Sequence, residues 1–413
     1  MTTSRTTGEL DASTSEGRAS AGGVSRRAFL RLAGRGAGLV AVVGSGLVTL
    51  RALDQGVFST GSGPAYSAWN QWAAAPTQPL DLIRAAVLAA NAHDTQPWLF
   101  RVSLDRIDLY AVPSRSIGMI DPLRREMFLS LGCALENLVL AAAAAGTAPS
   151  VQVVPNSADP TLAASVRLGS GQREISSLYR AIPMRHTNRG PYDTARSVAP
   201  DVLTSMESLI SETDVAIVWW TSAADKRRFA DLTVRAAQAI AADAQQAADD
   251  FHWWRGTWSQ TQASKDGITI DASGLPPLIR ALGKILPGQT RDSYEDSFLS
   301  SLRNTQLPTA AVMGTIVVRD SSNPAQRIGA GRAYQRLQLW ATFHGFAMQP
   351  LNQPLERADR EKASGLAPVF GTELGALFPD PGMQPVMPFR LGYPTLQSLP
   401  SPRRPAEDVM VRG

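Results

Sequence analysis

Two short basic stretches, Arg185-His186-Thr187-Asn188-Arg189 and Arg403-Arg404, hold the residues of this 413-residue chain best suited to chemistry. A phosphomonoester carries close to two negative charges and is held best by planar, forked, charge-assisted donors. Arg185, Arg189 and Arg404 supply three such forks, with the Thr187 hydroxyl in support. Any one of these arginines alone reads as a solvated surface charge; only their convergence makes a phosphate cradle. A second stretch, Asn91-Ala92-His93-Asp94-Thr95-Gln96-Pro97-Trp98, sets a carboxylate two residues before an amide. The carboxylate only accepts hydrogen bonds, whereas the amide donates and accepts. The four histidines (93, 186, 252 and 344) share no metal-ligand spacing, and the single Cys133 lies at an apolar helical position, so no metal site is expected. No side chain is assigned as a catalytic acid or base, and His186 reads as a structural neighbour of the basic loop.

The elements that must position these stretches include one helix present twice. Gly132-x-Ala134-x3-Leu138-x-Leu140-x-Ala142-x3-Gly146 recurs in register as Gly331-x-Ala333-x3-Leu337-x-Leu339-x-Ala341-x3-Gly345. Each copy ends on Gly, the residue that accepts a left-handed helix end. Downstream, Arg167-Leu168-Gly169 is answered by Arg390-Leu391-Gly392. Such an echo implies duplication of one unit, and a chain built as its own dimer can form a site at its internal seam. Around the copies, apolar periodicity predicts a helix over 79–90, strands over 99–103, 106–112, 151–154 and 164–168, and helices over 173–182 and 200–211. A strand over 214–220, a long helix over 223–250, strands over 315–319, 346–350 and 386–391, and a short helix from Pro354 complete the chain. The aromatic-rich segment 251–287, with Trp253, Trp254 and Trp258 beside Gly and Pro, reads as a lid over something flat and apolar or, equally, as core packing.

Composition excludes several classes. The net charge of +4 is carried almost wholly by Arg, with Lys only at 226, 265, 284 and 362. These charges are scattered without an aromatic platform, so no nucleic-acid partner is expected. No Gly-x-Gly-x-x-Gly follows a strand, so no Rossmann dinucleotide domain is indicated. Near the N-terminus, Ser25-Arg26-Arg27-Ala28-Phe29-Leu30-Arg31 precedes a weakly apolar run, 39–50. The pattern resembles a twin-arginine export signal and predicts an extracytoplasmic or membrane-anchored protein. The expected layout is an export signal or membrane tether (1–55), a linker (56–78), a first half (79–172) and a second half (173–406) carrying the 251–287 insertion.

The order of helix, Gln-Pro-Trp loop, paired strands, Gly-capped helix and basic tail resembles the nitroreductase family of flavoproteins, and within it the Acg-like FMN-binding branch. The resemblance implies an α+β fold of two nitroreductase-like units in one chain. Each unit would be a mostly antiparallel sheet flanked by helices, together mimicking a homodimer. By the same resemblance, Arg185, His186, Thr187, Arg189, Arg403 and Arg404 surround the phosphate of FMN. Asn91, Asp94 and Gln96 meet the pyrimidine edge of the ring, and the Gly345–Pro350 stretch with Asn352 lies at the ring edge. Asp94 replaces the family's usual Asn, so it suits the ring N–H but opposes negative charge on a reduced flavin. The first half holds the Gln-Pro-Trp loop and the second the basic loop and tail, which implies one composite site per chain in a monomer. The implied activity is two-electron transfer between a small-molecule donor and an acceptor. Two alternatives are a flavin-sequestering protein with little turnover and a membrane-tethered interaction protein with a decayed site.

Overall fold

Leu82, Ile83, Ala86, Val87 and Ala90, spaced for one helical face, are all buried. They belong to the first element of the first half in a computed structural model that describes residues 46–154, 156, 158–378 and 380–412. The paired arginines of the export motif lie outside the described residues. Helix α1 (Pro79–Ala86) is capped by Gln78 and Asp81 and stops earlier than its apolar pattern. The reason lies just beyond it: the Leu88 and Ala89 carbonyls turn outward and accept from Arg185 and Arg403. Strands β1 (Trp98–Val102) and β2 (Arg106–Ala111) follow, then the first repeated helix, α2 (Arg125–Ala144). β3 (Thr147–Val153) and β4 (Leu162–Ser170) close this half. Helix α2 is long and apolar enough to cross a membrane, yet it is mostly buried within the fold, as a core helix is.

The second half opens with two short helices, Ser177–Ala181 and Pro200–Glu207. β5 (Val215–Trp220) comes next. The long helix expected over 223–250 is two, α3 (Ala223–Ala242) and α4 (Ala244–His252). Asp243 breaks it: its carboxylate caps the Gln245 and Gln246 amides and also pairs with Arg357 and Arg360. A short Asp side chain bonding nearby backbone competes with helix continuation. Within the insertion, β6 (Trp254–Arg255) and β7 (Ile268–Thr269) form a small parallel ladder. Then come β8 (Val312–Val318), the second repeated helix α5 (Pro324–Phe343), β9 (Ala347–Pro350) and β10 (Gln384–Gly392). The last strand, β11 (Met410–Arg412), had no counterpart in the sequence pattern.

Two sheets result, ordered β11-β1-β2-β4-β3 and β5-β8-β10-β9. Within these two sheets all described pairs are antiparallel except β1 with β11. Every residue of β8 is buried, which is why its sequence is a continuous apolar run without alternation. β11 carries the C-terminus of the second half onto the edge of the first half's sheet, with Phe100 opposite Met410. The fold is therefore α+β, with the second half lending one strand to the sheet of the first.

The halves meet through the repeated helices. A Cβ on Gly132 would lie 2.1 Å from the Ile328 carbonyl oxygen, and one on Gly331 would lie 2.1 Å from the Leu129 carbonyl oxygen. Equivalent residues of the duplication thus make the same backbone contact in return, the property of a two-fold interface. Beside them Gln335 donates to Asn137 (2.8 Å), and Glu136 receives Arg332 (2.8 Å) and Arg336 (2.9 Å). Gly146 and Gly345 both end their helices at positive φ, 85° and 77°.

Candidate functional site

The loop Asn91–Trp98 is folded tightly by its own side chains. Asn91 accepts from the Gln96 amide (2.8 Å) and donates to Asp94 (3.3 Å). His93, Asp94 and Gln96 all take positive φ, between 48° and 56°, conformations that cost free energy in residues with a Cβ. The C-terminal tail then locks onto this loop. Arg403 pairs with Asp94 and donates to the Ala89 carbonyl (3.0 Å). The Arg404 amide donates to Gln96 Oε1 (2.8 Å), and its guanidinium reaches the Gln96 carbonyl. Arg403 and Arg404 therefore bind the Gln-Pro-Trp loop directly, rather than standing free beside the 185–189 loop.

The 185–189 loop arrives on the same ground from the second half. Arg185 donates to the Leu88 carbonyl (3.1 Å) and to Gln338 Oε1 (3.2 Å) on α5. Arg189 donates to the Ala272 carbonyl (3.2 Å) of the insertion. The structure thus brings Arg185, Arg403, Asp94, Asn91 and Gln96 together around the end of α1. His186 packs edge-on against Trp69, 4.6 Å between ring centres, and Arg403 lies over the same indole at 5.2 Å. Thr187 is half-buried beside them. Pro350 ends β9, whose Met348 carbonyl accepts from the Asn188 amide, so this strand supports the basic loop. Asn352 is buried at the start of helix Gln353–Ser364, and no described hydrogen bond ties it to the other candidates.

The electrostatics are unusual for a folded interior. Neither Arg185 nor Arg189 has a carboxylate within ion-pairing distance among the described residues. Burial, with Arg403 nearby, lowers the Arg185 guanidinium to about 10; burial also lowers Arg189. His186 is pushed down to about 3 by burial and by the Arg185 and Arg403 charges, so it is neutral. Several buried polar atoms here have no protein partner: Arg185 Nε, Arg403 Nε, Arg404 Nε, His186 Nδ1, Gln338 Nε2, the Tyr334 hydroxyl and Asp94 Oδ2. Buried cations and donors without acceptors are costly unless something completes them.

Asp94 is pushed up to about 7 by burial, against the pull of Arg403. A carboxyl whose folded pKa exceeds its unfolded value holds its proton longer in the fold, so its contribution favours folding at low pH. That contribution is lost as pH rises from about 4 to about 7. Asp94→Asn should accordingly gain in melting temperature relative to the parent chain across this window, as thermal unfolding at closely spaced pH values would measure. A constant difference between the two proteins over that range would reject the assignment.

Sequence reading missed several residues that build this site. Gln338 and Tyr334 lie in the repeated helix where the first copy carries Val139 and Leu135, so a polar-for-apolar mismatch between the copies was the available signal. Arg390 is fully buried and donates to Gln349, Thr309 and the carbonyls of Gln306, Asn188 and Gly190. It clamps the basic loop to the second sheet, whereas its echo Arg167 is exposed. The insertion and the stretch before α1 also close over the loop. Gln96 donates to the Lys265 carbonyl (2.9 Å), the Gly267 amide to the Asp94 carbonyl (3.2 Å), and Asp266 binds Arg115 and Arg255. Residues 56–78, expected as a linker, are a packed strap: Tyr66 is buried and stacks on Trp258, and Trp69 donates to the Ser401 carbonyl. Trp253 and Trp254 are buried as core.

No family model matches this chain. A Mycobacterium tuberculosis (strain H37Rv) protein named "Putative NAD(P)H nitroreductase" is 26% identical over 335 residues, covering 79% of this chain and 88% of that protein. A second from the same organism, with the same name and the suffix acg, is 32% identical over 120 residues, 27% of this chain and 36% of that protein. Among solved structures, the FMN-dependent nitroreductase NfnB from Mycobacterium smegmatis in complex with NADPH is similar at 17% identity and TM-score 0.32, over 53% of this chain and 88% of that one. A protein from Anabaena variabilis named "a putative nitroreductase" is similar at 13% identity and TM-score 0.36, over 70% of this chain and 69% of that one. By sequence the chain is thus similar over most of its length to one mycobacterial protein named as an NAD(P)H nitroreductase, and over about a quarter of its length to the one named acg.

Proposed function

We propose that the protein is an FMN-dependent oxidoreductase of nitroreductase type, with one flavin per chain at the seam of the two halves. The observation that carries this reading is the pair of guanidinium groups, Arg185 and Arg189, buried or half-buried without a carboxylate. Arg185, Arg189, Arg403 and Arg404 against the single Asp94 carboxylate leave three positive charges, most of which a phosphomonoester of charge about −1.5 to −2 would offset. The unpartnered Arg185 Nε, Arg404 Nε and His186 Nδ1 suit phosphate oxygens or their bridging waters. The unpartnered Asp94 Oδ2 suits a ring N–H, an acceptor's role. Names of the relatives support the chemistry, since both are called NAD(P)H nitroreductases.

Bound FMN would relay two electrons from a reduced nicotinamide to an electron-poor acceptor. The chain's own residues bind and orient. Arg390 fixes the basic loop through Asn188 and Gly190, and Arg403 fixes the opposite loop through Asp94. Titrating near neutrality, Asp94 is poised to hold or release a proton as charge builds beside it. We also propose that the chain is exported by the twin-arginine route and works as a monomeric pseudo-dimer, supported by Arg26-Arg27 with Phe29-Leu30 and by the reciprocal Gly132/Gly331 contact.

A second reading, flavin sequestration with little turnover, is favoured by the insertion's bonds to Gln96, Asp94 and Arg189. One experiment separates them. The yellow protein is mixed anaerobically with NADPH, then with a quinone. Bleaching that reverses on adding quinone supports the enzyme. Flavin that dithionite bleaches but NADPH leaves oxidised supports sequestration. A colourless protein that takes up no added FMN rejects both.

A further inference from the structure

His93 is a titratable group within the candidate site that binding and orienting leave unused. It follows Ala92, whose amide donates to Ser130 Oγ (3.1 Å), and it precedes Asp94, which Arg403 holds, so both its neighbours are fixed. Its own backbone sits at φ 48°. Held this way, the imidazole meets α4: Nε2 lies 2.6 Å from Asp250 Oδ1, and the two side chains are 14% and 19% exposed. No hydrogen bond of Nδ1 is present among the described residues. An imidazolium has two N–H donors, so one can be held by the carboxylate while the other stays free for a ligand.

Charged groups act on His93 from three elements. Burial disfavours the charged ring, but the hydrogen-bonded Asp250 carboxylate outweighs it, aided by Glu126 from the first turn of α2 and opposed by Arg189. The net effect raises the pKa above the ordinary histidine value. Arg189 reaches the ring from the 185–189 loop, so His93 stands between α4 and the ground where the two loops meet. Around Asp250 lie Tyr294 and Glu295 of helix Arg291–Ser301 and Glu356 of helix Gln353–Ser364. Burial, with Asp250 beside it, keeps the Tyr294 hydroxyl protonated, and burial, with Glu126 and Asp250, keeps Glu356 neutral. Tyr294 packs on Phe251 and Trp254, 5.7 and 5.1 Å between ring centres, so a buried wall backs the carboxylate.

We propose that His93 is the proton donor to the electron acceptor, with Asp250 as its positioning residue, and that the acceptors served are quinone-like, with an oxygen that gains charge on reduction. The proposal rests on the flavin reading above. Reducing a quinone to its hydroquinone takes two electrons and two protons. The reduced nicotinamide of that reading supplies the electron pair and one hydrogen nucleus as a hydride. The second proton passes from His93 Nδ1 to the quinone oxygen, where the new O–H bond forms as the N–H bond breaks. The neutral imidazole keeps its Nε2–H on Asp250 and regains a proton from solvent through its exposed edge. A donor positioned in this way contributes about 10²–10⁴-fold.

The test compares two acceptors of the reduced holoprotein across pH: a benzoquinone, which needs protons, and ferricyanide, which takes single electrons and none. In the parent, the quinone rate should fall as pH rises through the His93 pKa, because only the imidazolium donates. His93→Gln should lower the ratio of quinone to ferricyanide rates at least tenfold and flatten that profile. Asp250→Asn, which keeps an acceptor but removes the charge, should move the fall to lower pH. Ring-proton NMR, which needs no bound flavin, should show the His93 pKa above the ordinary value in the parent and lowered in Asp250→Asn. An unchanged ratio in His93→Gln, a flat parent profile, or a His93 pKa that ignores Asp250→Asn would overturn the proposal. So would equal loss of both rates together with loss of FMN, the mark of a clamp that only shapes the loop. Failure of the flavin reading looks different: the parent itself would hold no FMN, and the proposal would fall with it.

Discussion

Arg185→Met together with Arg189→Met is expected to give a folded, colourless protein whose affinity for FMN falls by roughly 10²–10⁴, since each charge-assisted hydrogen bond is worth about 1.5–3 kcal/mol. The sign of the accompanying stability change is the sharper part. A buried cation without a carboxylate costs folding free energy, and an apolar side chain of similar length removes that cost. The flavin-free variant should therefore melt at the same temperature as the flavin-free parent or higher. On the proposed phosphate role, binding and stability should move in opposite directions. If the variant melts well below the parent, their contacts with Leu88, Gln338 and Ala272 are what the chain needs, and the phosphate assignment fails. Equilibrium titration followed by flavin fluorescence and thermal unfolding without FMN measure the two quantities.

Gly331→Ala is expected to destabilise the protein by on the order of 4 kcal/mol, well beyond the usual cost of an exposed helical substitution. In open helix the same change would be favourable, because Ala is the better helix former. Here the new methyl group would meet the Leu129 carbonyl oxygen at 2.1 Å, and backbone cannot rotate away as a side chain can. Helices α2 and α5 must separate, opening the seam. For a chain of this size, a melting-temperature fall of roughly 5 °C follows. Gly132→Ala should do the same against Ile328. The double variant should cost less than the two singles added, because one separation of the helices relieves both clashes. Simple additivity would mean that the two contacts are independent and that the interface lacks the two-fold reciprocity of a duplicated unit.

The repeated helix, the apolar elements and the two loops were legible because each rests on local periodicity or on residue type. Strand β8 and helix α1 are plain in the apolar pattern, and Gly146 and Gly345 announce their helix ends. Long-range partners were not legible. Nothing local told that Arg403 and Arg404 would bind the 94–98 loop, or that Arg390 would clamp the loop at 188–190. Such pairings depend on which segments the two sheets bring together, and an isolated arginine carries no mark of its acceptor. The strap at 56–78 misled for a related reason: its Gly, Ser and Pro residues look like a linker, while Tyr66 and Trp69 are the residues that dock it. Asp243 splits a helix that periodicity alone would continue, because its carboxylate serves two amides and two arginines at once.

The ratio of FMN to polypeptide in the purified, reconstituted protein tests the composite site most directly, with flavin released by denaturation and quantified beside chain concentration and native mass. One FMN per chain in a monomer is the predicted result, since Asp94 and Gln96 occur in the first half only and Arg185 and Arg189 in the second only. Two FMN per chain, or one shared between two chains, would contradict it.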